Sequence, residues 1–249
     1  MAKPRVAIFD FACCEGCQLQ IVNLEEDILN LISIVDVVEW REAMSEQSET
    51  YDIAIIEGSI TRPSDEERIK KIREKAKFLI TLGSCAATGG VNKLKNPFAM
   101  ADVRKIVYGD KSELPMLDTY PTKAIKDVVK VDYDINGCPI DRKEFAYIIR
   151  CLVKGRAPFI PNYPVCVECK LRENGCLWEK GEICLGPVTR AGCNARCPSN
   201  GHWCFGCRGY LKEANFEALK EAVTMRGLDM KQLESRIQMF KELEGADRA

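Results

Sequence analysis

Twelve of the chain's fourteen cysteines fall into three sets of four, and this pattern constrains the fold and the chemistry more than any other feature. Four thiolates are what a cubane iron–sulfur cluster needs, because each corner iron takes one external sulfur ligand. Three such sites in one chain predict a path for electrons. The sets are Cys14, Cys17, Cys85 and Cys138; Cys166, Cys169, Cys176 and Cys184; and Cys193, Cys197, Cys204 and Cys207.

Size, charge and histidine content exclude several classes of protein. The 249 residues are enough for one sizeable domain and a smaller one. A net charge of -1 shows no basic excess, so we expect no nucleic-acid partner. The longest apolar runs, DIAII and KFLITL, are too short to span a membrane. His202 is the one histidine, which excludes a Ser–His–Asp triad and a histidine-rich catalytic metal site.

The N-terminal sequence and the cysteine content together predict a location. MAKPRVAIFDF runs directly into a strand pattern, with no charged leader, apolar h-region or twin arginine. We therefore expect a cytoplasmic protein, whose thiols stay reduced. Fourteen cysteines in that compartment favour metal ligation over disulfides.

Residues 1–155 alternate strand and helix patterns and are predicted to form one domain. The alternation is typical of βαβ units and predicts an α/β fold, a flavodoxin-like doubly wound parallel sheet. Ser64 and Glu67 resemble a capping box at the start of the second helix. The predicted strands are PRVAIFDF, VDVVEW, DIAIIEG and KFLITLG, and the predicted helices are QLQIVNLEEDILNLI and SDEERIKKIREKA.

The first cysteine set follows the ends of predicted strands. Cys14 and Cys17 follow the first strand, Cys85 follows LITLGS, and Cys138 follows VDYDING. In a parallel sheet these ends lie at one edge, where ligands bind, so we expect the four thiols to converge. Flanking glycines would allow the backbone to approach a cluster closely. Two other interpretations stay open: small core cysteines, or a CxxC pair that is redox-active or half of a zinc site.

A CxxC after the first strand, followed by EGSI, GSCAATGG and GCP, resembles the small subunit of nickel–iron hydrogenases. The resemblance implies that Cys14, Cys17, Cys85 and Cys138 ligate a proximal 4Fe–4S cluster. A related subunit of respiratory complex I uses two adjacent cysteines instead, and Cys13 stands next to Cys14. The presence of Cys17 favours the hydrogenase register, with Cys13 as a spare thiol.

Three positions near this set carry further expectations. Gln18 stands where the family often has a carboxylate, and Ile140 where many members have a second proline. Loss of the acid would affect proton delivery and leave cluster binding intact. Glu57, at a strand end, either accepts hydrogen bonds from backbone amides of the turn or, by resemblance alone, takes part in proton movement.

The second half of the chain changes character after the proline-rich segment RAPFIPNYPV, a predicted linker over residues 156–165. Residues 166–249 are predicted to form a small, ferredoxin-like iron–sulfur domain. Its eight cysteines in 42 residues leave too few apolar residues for a conventional core, so bound clusters must organise the fold. Ferredoxin cysteines can cross between clusters, so the order of the cysteines does not by itself assign them. A zinc ribbon is the alternative for the CxxC pairs.

The segment CLWEKGEICLGPVTRAGCNARCP, with GHWCFGC after it, resembles the medial and distal cluster region of the same family. The resemblance implies a distal 4Fe–4S cluster on Cys166, Cys169, Cys176 and Cys184, and a medial one on Cys193, Cys197, Cys204 and Cys207. Cys166 stands where many periplasmic members have a histidine ligand, and Cys197 adds a fourth medial cysteine. The remaining segment, YLKEANFEALKEAVTMRGLDMKQLESRIQMFKELE, predicts a helical pair broken at Gly227, packed on this domain.

The all-cysteine pattern is similar to the cytoplasmic sulfhydrogenase and F420-non-reducing branch of nickel–iron hydrogenases. The resemblance implies an electron-transfer subunit with three 4Fe–4S clusters, whose nickel–iron centre lies only in a large partner subunit. That centre converts H2, and electrons pass on to a flavin- or iron–sulfur-containing acceptor subunit. A complex I-like oxidoreductase subunit and a stand-alone ferredoxin-like carrier are the alternatives.

Overall fold

A computed structural model describes residues 2–241. The strands are β1 (Arg5–Asp10), β2 (Asp36–Trp40), β3 (Ile53–Glu57), β4 (Phe78–Leu82) and β5 (Tyr133–Ile135). The helices are α1 (Gly16–Val22), α2 (Asp27–Ile32), α3 (Pro63–Lys75), α4 (Gly83–Thr88), α5 (Met100–Tyr108), α6 (Arg142–Val153), α7 (Val165–Leu171), α8 (Arg196–Ser199), α9 (Phe216–Met225) and α10 (Met230–Phe240). Single 3-10 turns cover Gly90–Lys95, Gly109–Lys111, Ile125–Asp127 and Leu177–Lys180.

The five strands form one sheet in the order β2-β1-β3-β4-β5, and every neighbouring pair is parallel. This is the strand order of the flavodoxin-like doubly wound fold, so the predicted parallel α/β sheet is confirmed. The order reverses between β1 and β3, and ligands of such sheets bind beyond the carboxyl ends of the strands near that point.

Apolar side chains of alternate strand residues pack on opposite faces of the sheet. On one face, Val6 and Ile8 of β1 pack with residues of α1, α2 and α6. On the other face, Ala7 and Phe9 of the same strand pack against α3 and its neighbours. Burial on both faces is what fixes the register, because a shift by one residue would exchange the two sets of side chains.

Two local predictions were wrong. The helix expected over residues 18–32 is two helices, because the chain turns between α1 and α2, where Glu25 has a left-handed φ of 55°. The helix α3 begins at Pro63 with Arg62 at its N-cap and no side-chain cap. The fixed φ of a proline at the first helical position starts the helix, so the Ser64–Glu67 capping box does not form.

The second half of the chain is built differently. No helix or strand lies between Val153 and Val165, and residues 165–241 contain helices and two isolated bridges, Pro164–Arg190 and Thr189–Tyr210. The predicted C-terminal helical pair is present as α9 and α10, and it packs against residues 183–188. The ferredoxin-like architecture stays a prediction, and its last residues, 242–249, lie outside the described part.

None of the helices within residues 2–241 has the length and apolar character that crossing a membrane requires.

Candidate iron–sulfur sites

The structure brings the first set of cysteines together at the carboxyl edge of the sheet. Cys17 lies in the first turn of α1, Cys85 lies in α4 directly after β4, and Cys138 follows β5. Burial, then the neighbouring Cys138 and Cys14 thiols, raises the pKa of Cys85 to about 12. Burial, then Glu57, with a smaller contribution from Cys85, raises the pKa of Cys17. The four thiols therefore share one site, which we call the proximal site.

Two glycines allow the backbone to pass close to these thiols. Gly83 has a φ of +80°, and a Cβ there would lie 2.4 Å from the Sγ of Cys17. Gly90 has a φ of +53°, and a Cβ there would lie 2.9 Å from the Cα of Cys85. Only glycine fits at these positions, because any side chain would collide and would also strain the backbone.

Cys166, Cys169, Cys176 and Cys184 form a second group, the distal site. Burial, then the Cys184, Cys169 and Cys176 thiols, raises the pKa of Cys166 to about 11. Gly186 lies against the group, since a Cβ there would be 3.2 Å from the Sγ of Cys166 and 3.5 Å from that of Cys184. All four predicted distal residues are thus near one another.

Cys193, Cys197, Cys204 and Cys207 form the third group, the medial site. Burial, then the Cys138 thiol of the proximal site, raises the pKa of Cys207 to about 12, and the thiols of Cys193 and Cys197 add to the rise. Burial also raises the pKa of Cys204 well above its ordinary value, with the Cys207 thiol contributing. The medial thiols lie near one another and near Cys138 and Cys184 of the other two groups, so the assignment of ligands to the medial cluster stays a prediction.

Contacts join the medial site to both of the others. On one side, the thiol of Cys138 lies near that of Cys207, since after burial it raises the pKa of Cys207 most. On the other side, the N–H of Cys204 donates to the Sγ of Cys184 at 3.2 Å. The Ser84 hydroxyl also lies within hydrogen-bond reach of the carbonyls of Gly137, at 2.9 Å, and of Cys207. The three groups therefore follow one another in the order proximal, medial, distal.

At the proximal and the medial site, a glutamate carboxylate holds the cysteine-bearing loop by accepting hydrogen bonds from backbone N–H groups. The carboxylate of Glu57, 2% exposed, accepts hydrogen bonds from the N–H groups of Cys17 (3.0 Å) and Gln18 (3.1 Å). Glu168 accepts from the N–H groups of Gly192 (2.8 Å) and Ala195 (3.1 Å), which flank Cys193. The interpretation of Glu57 as an acceptor for backbone amides is confirmed, and Glu168 does the same at the medial site.

A buried ion pair fastens the medial site to the sheet domain. Arg208, 2% exposed, donates two hydrogen bonds of 2.6 Å each to the carboxylate of Glu144 on α6. Its other donors reach the carbonyls of Ala191 (2.8 Å) and Asn136 (3.3 Å). Because the two oxygens match the guanidinium fork, the pair fixes an orientation as well as a distance.

The donor chemistry of the three groups fits clusters held by four thiolates. Burial and neighbouring thiols disfavour the charged thiolates, and a bound cationic iron centre would offset that cost. In the described part of the chain, the buried side-chain polar atoms without a partner are Gln18 Nε2, Asn136 Oδ1, Arg190 Nε and Trp203 Nε1. Each belongs to a residue within three positions of a cysteine in one of the groups.

Within residues 2–241, no three side chains of His, Cys, Asp or Glu are placed to hold one metal ion. A cubane cluster does not require that arrangement, because each of its thiolates binds a different iron.

The remaining predicted residues have simpler surroundings. His202 is exposed, and its ring lies edge-on to Trp203 at 6.5 Å. Cys13 is half-buried, and burial, then Glu57, raises the pKa of its thiol to about 12, with a small contribution from Cys85. Cys13 therefore lies near the proximal site, as the complex I-like register would require.

Sequence reasoning missed the residues that position the thiols: Ser84, Glu144, Glu168 and Arg208. Glu168 carried a signal, because it lies between the two cysteines of a CxxC motif. Glu144 and Arg208 are 64 residues apart, and no local pattern relates them.

Comparison with known proteins identifies two kinds of relative. The family model for the 20 kDa subunit of NADH ubiquinone oxidoreductase matches residues 14–152. Sulfhydrogenase 2 subunit delta of Pyrococcus furiosus is 38% identical over 223 residues, which is 87% of this chain and 92% of that protein. A subunit of the vhu F420-non-reducing hydrogenase of Methanocaldococcus jannaschii is 34% identical over 236 residues, which is 82% of this chain and 81% of that protein.

Solved structures agree with these sequence relatives. A chain of an NAD+-reducing [NiFe]-hydrogenase in the H2-reduced state has a TM-score of 0.58 and 25% identity, over 64% of this chain and 96% of that one. A chain of a [NiFeSe]-hydrogenase from Dm. baculatum has a TM-score of 0.56 at 15% identity, over 84% of this chain and 95% of that one. The second likeness concerns the fold alone.

Proposed function

Because the chain belongs to the family of the 20 kDa subunit of NADH ubiquinone oxidoreductase, and within it to the small subunits of sulfhydrogenase- and F420-non-reducing-type nickel–iron hydrogenases, we propose that it relays electrons within such an enzyme. Hydrogenases are oxidoreductases that act on H2 as complexes. In this proposal, the nickel–iron centre belongs to a large partner subunit. Electrons pass through this chain to a flavin- or iron–sulfur-containing acceptor subunit, in the cytoplasm.

The observation that carries the proposal is the serial arrangement of the three thiol groups. The Ser84 hydroxyl, beside Cys85 of the proximal site, hydrogen-bonds to the carbonyl of Cys207 of the medial site. The N–H of Cys204 of the medial site donates to the Sγ of Cys184 of the distal site. Electrons move between centres that are close together, so a chain of three adjacent sites suits electron relay. The residues around these sites supply thiols, carboxylates that bind amides, and buried donors, which are suited to holding redox centres.

In the proposed assignment, each thiol group holds one 4Fe–4S cluster, which when bound supplies a one-electron redox centre. The thiols provide the ligands, and Glu57 and Glu168 hold the loops that carry Cys17 and Cys193. The Arg208–Glu144 pair fixes the medial site relative to α6. These groups act by position, and none of them changes its bonding during relay.

The main competing function is a complex I-like subunit, which the family name and the position of Cys13 favour. In that case the ligands at the proximal site would include both Cys13 and Cys14, and the large partner would carry no nickel. A stand-alone carrier would need no partner.

A pair of serine variants tests the relay and the register together. The complex is purified anaerobically through a tag on this chain, and H2-dependent reduction of the acceptor is measured beside the EPR spectra of the clusters. Cys85→Ser should abolish electron flow from H2 to the acceptor and remove the proximal signal, while the distal signal stays intact. Unchanged acceptor reduction in this variant would contradict the proximal assignment.

Cys13→Ser is the matched control, because it makes the same change at a half-buried thiol beside the same site. Hydrogenase-type ligation by Cys17 predicts unchanged spectra and activity. Loss of the proximal signal in Cys13→Ser, with a partner that contains no nickel, would favour the complex I-like subunit.

A further inference from the structure

The three tryptophans of the chain differ in how their indole N–H groups are satisfied. Trp40 Nε1 donates to Gln18 Oε1 at 2.7 Å, and Trp178 Nε1 donates to the carbonyl of Cys184 at 3.1 Å. Trp203 Nε1 is buried and has no partner within residues 2–241. A buried indole N–H ordinarily has an acceptor, and leaving one unpaired is costly. A group bound at this place would supply the missing acceptor.

Trp203 lies where the distal and medial sites meet. Its ring packs against the buried cluster that contains Cys184 and Cys204, and Cys169 packs on the same cluster. The next residue along the chain, Cys204, donates its N–H to Cys184 Sγ. The Trp203 ring therefore packs on a cluster to which thiols of the distal site, Cys184 and Cys169, and thiols of the medial site both belong.

Arg236 of α10 holds the tryptophan ring on its other side. The guanidinium carbon lies 3.8 Å from the centroid of the Trp203 ring, and Nη1 donates to the carbonyl of Ile183, the residue before Cys184. Arg236 is 8% exposed and forms no ion pair within residues 2–241. Burial lowers its pKa, with Glu182 and Cys184 opposing that effect, but a guanidinium stays charged at any physiological pH.

We propose that Trp203 and Arg236 form a pair that sets the reduction potential of the distal cluster, the indole by donating its N–H to a cluster sulfur and the guanidinium by its buried positive charge. This inference rests on the proposed function, since it takes a 4Fe–4S cluster on Cys166, Cys169, Cys176 and Cys184 as bound. The two groups reach the same site from different segments, one beside Cys204 and one on the C-terminal helix.

The indole N–H and the guanidinium should both raise the reduction potential of the distal cluster. Reduction adds a negative charge to a cluster, and hydrogen bonds to the sulfurs and nearby positive charge are among the factors that set its potential. A donor and a cation stabilise the reduced form more than the oxidised form, so each raises the reduction potential. In a buried site the effect of the cation is screened less than at the surface.

The test is an EPR-monitored redox titration of the cluster-loaded complex with Trp203→Phe, which keeps a ring under Arg236 and removes the N–H. We expect the distal cluster to become about tenfold harder to reduce, a shift of about -59 mV for a one-electron couple. Arg236→Gln should shift it in the same direction, and Arg236→Lys should restore most of the potential. The proximal cluster should keep its potential in all three variants.

Two matched substitutions are the controls. Trp40→Phe removes an indole N–H that is bonded to Gln18, in the sheet domain. Arg226→Gln removes an exposed guanidinium that lies 5.4 Å from the Trp178 ring. Neither should change the distal potential. An unchanged distal potential in both Trp203→Phe and Arg236→Gln, or equal shifts in the controls, would overturn the proposal.

A measurement that leaves Trp203 and Arg236 unchanged guards against variants of these residues that fail to assemble. With ¹⁵N-labelled tryptophan, pulsed EPR of the reduced distal cluster should show an indole nitrogen coupling that persists in Trp178→Phe. No such coupling would overturn the hydrogen bond. Iron and sulfide analysis of every sample separates this result from a failure of the proposed function, because samples without three clusters contradict the relay itself.

Discussion

The sheet domain and the cysteine-rich region differ in how far their thiols belong to the core. In the sheet domain, apolar side chains on both faces of five strands form the core, and of the four proximal thiols Cys17 is a buried member of it, whereas the other three lie at its carboxyl edge. In the cysteine-rich region, Cys184 and Cys204 are themselves buried members of a core cluster. In the sheet domain, packing of apolar side chains forms the core, and the proximal site is built mainly at its edge. In the cysteine-rich region, thiols of the distal and medial sites are themselves part of the core. Ligand binding and folding should therefore be coupled more strongly in the second region than in the first.

Removal of the iron–sulfur clusters should produce the largest difference between the two regions. In the cluster-free chain, residues 166–207 should lose their hydrogen-exchange protection, because cluster binding supplies folding free energy there. Strands β1, β3 and β4 should stay protected by their apolar core. Hydrogen exchange followed by mass spectrometry measures both regions in one sample, and equal protection in them would contradict the contrast.

The next largest effect is expected at the buried ion pair that joins the two regions. Arg208→Met leaves Glu144 charged and largely shielded from water without its partner, which should cost about 3–5 kcal/mol in the cluster-loaded chain. The double variant Glu144→Leu with Arg208→Met should recover most of the loss, because no unpaired charge remains. Urea unfolding of the three variants and the parent checks this, and a loss of equal size in the double variant would contradict it.

Two cavity variants probe the difference between the regions in more detail. Leu79 on β4 and Leu185 beside the distal site are both fully buried. In the cluster-loaded chain, either leucine-to-alanine change should cost about 2–5 kcal/mol. In the cluster-free chain, Leu79→Ala should keep that cost and Leu185→Ala should lose most of it. Urea unfolding with and without clusters measures both costs. If Leu185→Ala cost the same in the two states, the core around Leu185 would form independently of the clusters, which would contradict the account.

The smallest effect is expected at the surface of the sheet domain. The Lys123 ammonium, then the Tyr120 hydroxyl, lowers the pKa of Glu66 through hydrogen bonds. A lowered folded-state pKa contributes stability above the unfolded-state pKa, and this contribution is lost as the pH falls through the folded-state value. Glu66→Gln should therefore cost at most about 1 kcal/mol at pH 7 and less in acid. Urea unfolding at pH 7 and pH 3 measures the difference, and a larger cost in acid would contradict the sign.

The sequence was a good guide wherever the physical signal was local. The buried strands and the helical pair broken at Gly227 follow from periodicity, and the parallel sheet follows from their alternation. The same reasoning failed at Glu25, where one residue with positive φ divides a helix that periodicity made continuous. At Pro63 the proline at the first helical turn replaced the expected side-chain cap.

The candidate sites were predictable as sets of cysteines and unpredictable in their surroundings. Glu57 could be placed at a strand end, and two interpretations of it followed from that position. Two residue pairs depend on contacts between distant segments of the chain. They are Glu144 with Arg208, and Trp203 with Arg236. Tertiary packing decides such contacts, and no spacing along the chain encodes them.

The proposed relay depends on three four-thiolate clusters in this chain, and the decisive quantity is the iron and acid-labile sulfide content of the anaerobically purified chain. We expect about twelve irons and about twelve sulfides per chain, because each of three cubanes has four of each. Zinc without sulfide, or iron for a single cluster, would contradict the relay.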